Sequence, residues 1–188
     1  MTWTARARRV VVVVAALTLA PIEAGVRAEV LDRVLAVVGT DLITLTDVTA
    51  ARDFGLVIVP ANAPDPTRAT LTQLIDRALM LAEVERYAPP EPTADAVSEA
   101  LRIVRDRFAS DEAYQAALAR SGIDESRLRD TIRQNLRLTA YLNQRFIAPI
   151  IDAPPGSAPA DRQRELIDDW LAGLRRRGTI IDLYLTGK

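Results

Sequence analysis

The 188-residue chain carries 24 basic and 25 acidic side chains, a formal net charge of −1, and neither histidine nor cysteine. Without imidazoles or thiols it lacks Ser-His-Asp and Cys-His nucleophiles, redox dithiols, disulfides and zinc sites of the usual ligand set, so no metal or cofactor is expected. Balanced charge supplies no basic field for nucleic acid, and a core of this size buries roughly 68–70% of the unfolded chain's surface without needing a staple.

The amino terminus has the pattern of a secretory signal over residues 1–28. Arg6, Arg8 and Arg9 form a positive region, Val10 to Ala20 an apolar one, and Val26-Arg27-Ala28 a cleavage site of the small-x-small type. Cleavage after Ala28 would leave a chain from Glu29 with 20 bases against 24 acids, since residues 1–28 hold four arginines and Glu23. The alternative is a retained anchor, but the apolar run falls short of the ~20 residues of a spanning helix, and Pro21 and Glu23 interrupt it. The expected destination is outside the cytoplasm, with no stable membrane insertion once the signal is removed.

Arg33 to Val38 is a β-rich apolar run, Gly39-Thr40-Asp41 supplies turn chemistry, and Leu42 to Leu45 resumes the run, which predicts a β-hairpin. Thr46, with Asp47 behind it, is the expected N-cap of a short helix to Phe54, closed by Gly55. Leu56 to Pro66 is a loop, because Pro60, Pro64 and Pro66 forbid regular helix; its apolar start, Val57 to Val59, is expected to pack rather than stand exposed.

Thr67 to Tyr87 is a strong helix, with Leu71, Leu74, Ile75, Ala78 and Ala82 on one face and Asp76, Arg77, Glu83 and Arg86 on the rest. Leu79, Met80 and Leu81 widen its apolar stripe, as in a central helix with partners on two sides. After the break at Ala88 to Pro92, Thr93 caps a helix carrying Val97, Leu101, Val104 and Phe108. Ser110 opens a shorter one with Tyr114 and Leu118, which Ser121-Gly122 closes.

Asp124 caps the longest helix, expected to end at Ala148 before Pro149, with Leu128, Ile132, Leu136, Leu142 and Phe146 spaced for burial. Arg129, Arg133 and Arg137 recur every four residues as a basic row. Such a row most often pairs with nearby acids; the alternative is a docking strip for carboxylate-bearing partners.

Ile151 to Ala160 is composed like a linker. Asp161 to Arg177 is a final helix with Leu166, Ile167, Trp170, Leu171 and Leu174 buried, and Arg175, Arg176 and Arg177 complement its dipole. Gly178 closes it, and Thr179 to Leu185 is a strand expected to return and pair with the first hairpin. The fold class that follows is mainly α, with a small antiparallel sheet made of the N-terminal hairpin and the C-terminal strand.

Four stretches, DRVLAVVGTDLITLTDV, LTQLIDRALMLAEVERY, GIDESRLRDTIRQNLRLTAYLNQRF and DDWLAGLRRRGTIIDLYL, stand in the order in which the N-terminal domain of the SurA-type periplasmic chaperones carries its own. The chain resembles that domain. The resemblance implies one helical domain over residues 29–188: an N-terminal part, 29–150, then residues 151–160 where relatives insert a parvulin prolyl isomerase, then a returning helix and strand, 161–188. It also implies an apolar groove for unfolded or partly folded outer-membrane and exported proteins. Parvulin catalysis draws on histidines that this chain lacks, so no isomerase domain is expected.

The candidate client-binding residues are Tyr87, Phe108, Tyr114, Tyr141 and Phe146, which could line such a groove, and the basic row Arg129, Arg133 and Arg137. Taken singly, each aromatic is as well explained by the core. The expected activity is chaperone-like binding without catalysis. The alternatives are prolyl isomerisation by some other surface, or dedicated binding of one folded envelope protein.

Overall fold

Five apolar residues, Val34–Val38, form strand β1, and Asp41–Thr44 form β2, antiparallel to it. The computed structural model describes residues 32–151 and 159–185; the expected signal segment, residues 1–28, and residues 152–158 of the expected linker lie outside the described residues. Gly39 supplies a φ of +61° at the first position of the two-residue turn, where a primed hairpin turn requires a left-handed residue. The register shifts between Val34 and Ala36, a bulge that breaks the alternation and leaves Leu35 and Ala36 both fully buried.

The cap of helix α1, Leu45–Asp53, lies two residues before the expected one. Thr44 is the N-cap: its hydroxyl accepts from Asp47 N at 3.3 Å while Asp47 Oδ2 accepts from Thr44 N at 2.9 Å, a reciprocal capping box. Thr46 is instead in the first turn, its N–H donating to Asp32 Oδ1 at 3.1 Å. Helix α2, Pro66–Tyr87, is capped by Asp65, whose carboxylate accepts from Arg68 N at 2.9 Å, with proline at the first helical position.

Thr93 and Ser110 cap α3, Ala94–Arg105, and α4, Asp111–Ser121, as their sequences predict, but α3 stops before Phe108. Gly122 ends α4 in the left-handed region at φ +70°, where a side chain would be strained. Helix α5, Glu125–Ile151, runs past its expected end through Pro149, and α6, Pro159–Arg177, starts two residues before its own. Pro159 stands at the first helical position of α6, where its missing N–H would have had no intrahelical acceptor.

Strand β3, Ile180–Asp182, pairs antiparallel with β1 in the register Ala36↔Asp182, Val37↔Ile181 and Val38↔Ile180, giving the sheet order β2-β1-β3. It is shorter than the expected strand, although Leu183 N still donates to Leu35 O at 2.9 Å. The fold is therefore mainly helical, with a small antiparallel sheet built from the first hairpin and the returning strand.

Two of the three apolar clusters are built on α2. Leu71, Ile75, Ala78 and Leu79 face the sheet residues Leu35, Val38 and Ile43 together with Leu174 of α6. A second cluster joins α1, α3, α4 and the first half of α5 around Phe54, Tyr114 and Leu128. A third joins Val84 to Leu138 and Tyr141. Each fully buried leucine contributes roughly 1.5–3 kcal/mol relative to exposure.

Two devices, one polar and one steric, lock the return of α6. Asp76 of α2 is buried, and Arg175 grips it with two hydrogen bonds, Nε to Oδ1 at 2.7 Å and Nη2 to Oδ2. Arg175 thus spans from α6 to α2 rather than acting chiefly on the helix dipole. Gly178 has no left-handed φ; a Cβ there would sit 2.5 Å from Leu79 Cδ2 and 3.1 Å from Leu174 O, so the glycine is there for close approach.

Replacing Arg175 by methionine strands the Asp76 carboxylate in its buried site. The expected loss by urea denaturation is about 2–3 kcal/mol, at or below the ~3–5 of a fully buried pair because Arg175 is half exposed. Arg176→Met removes only a dipole-complementing charge and should lose no more than about 1 kcal/mol. Equal losses in the two variants would refute the cross-helix role of Arg175.

Candidate functional site

Where β2, α1, α2 and the start of α5 converge, small side chains leave space. Ala50 and Ala51 of α1 and Ala78 and Ala82 of α2 line a cleft of about 560 Å³, within the usual ~300–1,000 Å³ of ligand sites. About half of its wall is aliphatic, from Leu42 and Ile43 of β2, Leu74 and Leu81 of α2, Ile123 before α5, and Leu56 and Val57 of the loop after α1; the other half is polar and charged. That loop borders the cleft. Val57 and Val59 are half-buried, as their sequence predicts, and so is Leu56, but Ile58 between them is 91% exposed, so the expected packing of residues 57–59 fails at its centre. A smaller depression of about 230 Å³ lies between α3 and α5, beside the exposed Ile103, and shares Leu56 with the larger one.

The polar groups of the larger cleft are mostly matched within the chain. Arg127 Nη2 donates to Asp47 Oδ1 at 2.8 Å, and this bond, reinforced by the charge of the same carboxylate, raises the Arg127 pKa. Glu85 accepts from Arg137 at 2.7 Å, and Asp130 pairs with Arg133. Arg77 differs. It donates to Asn135 Oδ1 at 2.6 Å, Gln134 Oε1 at 2.9 Å and the Thr131 carbonyl at 3.4 Å, all neutral acceptors. Burial lowers its pKa below the ordinary arginine value, against the field of Asp47, which raises it.

The aromatics singled out from the sequence line neither depression; they form two packed groups. Phe108 and Tyr114 meet Phe54, with ring centroids 5.6–6.0 Å apart. Tyr114 is fully buried there, filling core. Tyr87 stacks on Tyr141 at 5.5 Å, and Trp170 of α6 joins Tyr141 and Phe146 at 6.0 and 5.5 Å. The Arg145 guanidinium lies 5.6–5.9 Å from all four of these rings, a cation–π arrangement that fastens α6 to the ends of α2 and α5. Tyr141 and Phe146 are buried, whereas Tyr87 is exposed on one side.

The basic row does not form a free strip. Arg129 reaches Glu125 and Ser98, each at 3.2 Å, and Arg133 pairs with Asp130. Arg137, only 12% exposed, bridges Glu85 and Glu91, its Nε lying 3.0 Å from the Glu91 carboxylate without an aligned hydrogen bond. The chain's own acids therefore occupy all three arginines, as the solvated-face reading of that row expects. Sequence periodicity missed Arg77, placing it on the outer face of α2. Its partners lie more than fifty residues away, and no local spacing announces them.

Among the described residues, no group of three or more acids could hold a metal ion, and no helix is long and apolar enough to cross a membrane. No protein-family model matches this chain, and no curated protein matches it in sequence.

The Tyr114 hydroxyl donates to Glu125 Oε2 at 3.2 Å, and burial, then the Glu125 charge, pushes the phenol up to about 12. An unfolded tyrosine ionises near pH ~10, so the stability carried by the neutral phenol is intact below that and is lost as pH rises through 12. Urea denaturation across this window should show stability falling with pH, less steeply in Tyr114→Phe. The same slope in both proteins would mean that the phenol plays no part in it.

Proposed function

We propose that this chain is a chaperone-like binding module of the periplasm that holds unfolded or partly folded envelope proteins without catalysis. The observation that carries the reading is the cleft between α1, α2 and α5, half of whose wall is aliphatic, with Leu42 exposed on that wall and Ile58 exposed in the loop that borders it. Apolar concavities of this kind are binding surfaces by default, and aliphatic walls tolerate many sequences because they impose no directional bonds. The resemblance of four chain segments to the SurA-type N-terminal domain supports the same reading, and the signal-like residues 1–28 support export. The place proposed for the client is thus this cleft, and the aromatic groups hold the helices that frame it.

The test is dilution of an unfolded outer-membrane β-barrel protein into buffer with the full chain at several-fold excess. Light scattering should be suppressed. Ala82→Trp puts a large ring at an exposed position of the cleft wall and should remove most of the protection while leaving the unfolding free energy from urea denaturation within about 0.5 kcal/mol of the parent. Absence of suppression would reject the reading. One stoichiometric complex with a folded envelope protein would replace it with that of a dedicated assembly partner.

A further inference from the structure

The cleft has a polarity that the aliphatic half of its wall does not explain. Of the two arginines that line it, Arg127 is paired with Asp47, while Arg77 makes no ion pair among the described residues. The hydrogen bonds of Arg77 use Nε and Nη2, and Nη1 has no partner among the described residues. The lining acids offer it little. Both Asp47 oxygens are engaged, one by Thr44 and one by Arg127, and Glu85 and Asp130 have arginines of their own. A half-buried guanidinium held by neutral oxygens is the setting in which a carboxylate gains most from a charge-assisted bond. Asp41, exposed at the end of β2 and without an ion pair among the described residues, adds a negative charge to the wall, which favours a monoanion over a phosphate.

We propose that Arg77 is the anion-binding residue of this cleft, and that the occupant is a peptide segment presenting one carboxylate, from an acidic side chain or a chain end, among aliphatic side chains. This rests on the cleft being the binding site of the proposed function, and it adds the chemistry that orients the client there. The aliphatic neighbours fill the space between Leu42, Leu56, Leu74 and Ile123, and the carboxylate meets Nη1 of Arg77.

Calorimetric titration of the full chain with leucine- and valine-rich hexapeptides tests it. One probe has a free C-terminus, one an amidated C-terminus, and one an amidated C-terminus with an internal glutamate; octanoate is the non-peptide arm. Either carboxylate peptide should bind at least about tenfold more tightly than the uncharged amide, the equivalent of one charge-assisted hydrogen bond, and salt should narrow the gap. The stronger of the two identifies which carboxylate is used. Arg77→Gln should bring the carboxylate peptides down to the level of the amide; if that variant does not fold, the comparison of acid with amide on the parent protein decides alone.

Equal binding of acid and amide would overturn the role of Arg77, as would an unchanged preference in Arg77→Gln. Tighter binding of octanoate than of every peptide would overturn the peptide as occupant. The aggregation assay separates the two proposals. Protection that survives in Arg77→Gln, with no acid preference in the parent, rejects this inference and leaves the chaperone reading standing. Carboxylate binding without protection does the reverse.

Discussion

The hydrogen-bonded pairing of β3 with β1 is the constraint on which the rest of the architecture depends. Three paired residues near the chain's end are too few to hold a strand in water by themselves, since even a complete isolated hairpin is marginal. The pairing persists because α6 delivers the strand already positioned. Trp170 and Leu174 pack into the apolar cluster beneath the sheet, Arg175 grips Asp76, and Gly178 turns the chain against Leu79 at a distance that no Cβ would allow. Beyond the strand, the Tyr184 hydroxyl donates to Asp65 at 2.9 Å and Asp182 pairs with Arg68 at 2.5 Å, so the tail is tied to the first turn of α2. These links converge on α2. With one face of α2 committed to the sheet and α6, its Leu74, Arg77 and Leu81 are left to form a wall of the cleft.

Twelve arginines pair with acids among the described residues, and those without an acid, Arg77 apart, are exposed. Exposed neighbours such as Arg102 and Glu99, 2.7 Å apart, or Arg162 and Glu165, 3.0 Å apart, are screened by solvent and add little to stability. Their larger effect is to neutralise the surface locally in a chain whose bases are almost all arginine. Around the cleft the same economy consumes Arg127, Arg133 and Arg137. An arginine that is bonded, partly buried and yet unmatched by an acid is conspicuous against that background, whereas in a basic protein Arg77 would be one cation among many.

The elements legible in the sequence were those whose signals are local. Turn residues and caps gave the hairpin, all six helix starts to within two residues, and the returning strand, because Gly39, Thr93, Ser110 and Asp124 act on backbone groups only a few positions away. Even the misplaced cap is instructive. Thr44 and Thr46 are both followed by Asp47, and the spacing of three, which lets carboxylate and hydroxyl reach each other's backbone, decides between them. What stayed hidden was long-range. Asp76 and Arg77 look like outer-face polar residues, because burial of a charge is decided by partners that the fold brings in: Arg175 from 99 residues away and Asn135 from 58. The cleft was hidden for another reason. It is made by alanines, and a missing side chain leaves no periodic signal, whereas the aromatics advertise themselves by size and turn out to be packing.

The loop Leu56 to Pro66 decides whether such a cleft stays open. A flexible apolar loop would fold into the space and satisfy itself, because burying Leu56, Val57 and Ile58 together is favourable and little would oppose it. Three features hold it at the rim. Leu56 N donates to Ala51 O at 2.8 Å, pinning the loop to the end of α1, and Gly55, at φ +59°, sets the direction in which it leaves. At the other end Pro66 is already the first residue of α2, and with Pro60 and Pro64 it restricts the backbone in every state of the chain, lowering the entropy lost when the loop is ordered. Ile58, next to a half-buried Val57, is therefore held outward by a loop too constrained to tuck it in. It is an exposed apolar residue that the chain has no cheap means of covering, beside a cleft whose depth comes from alanines.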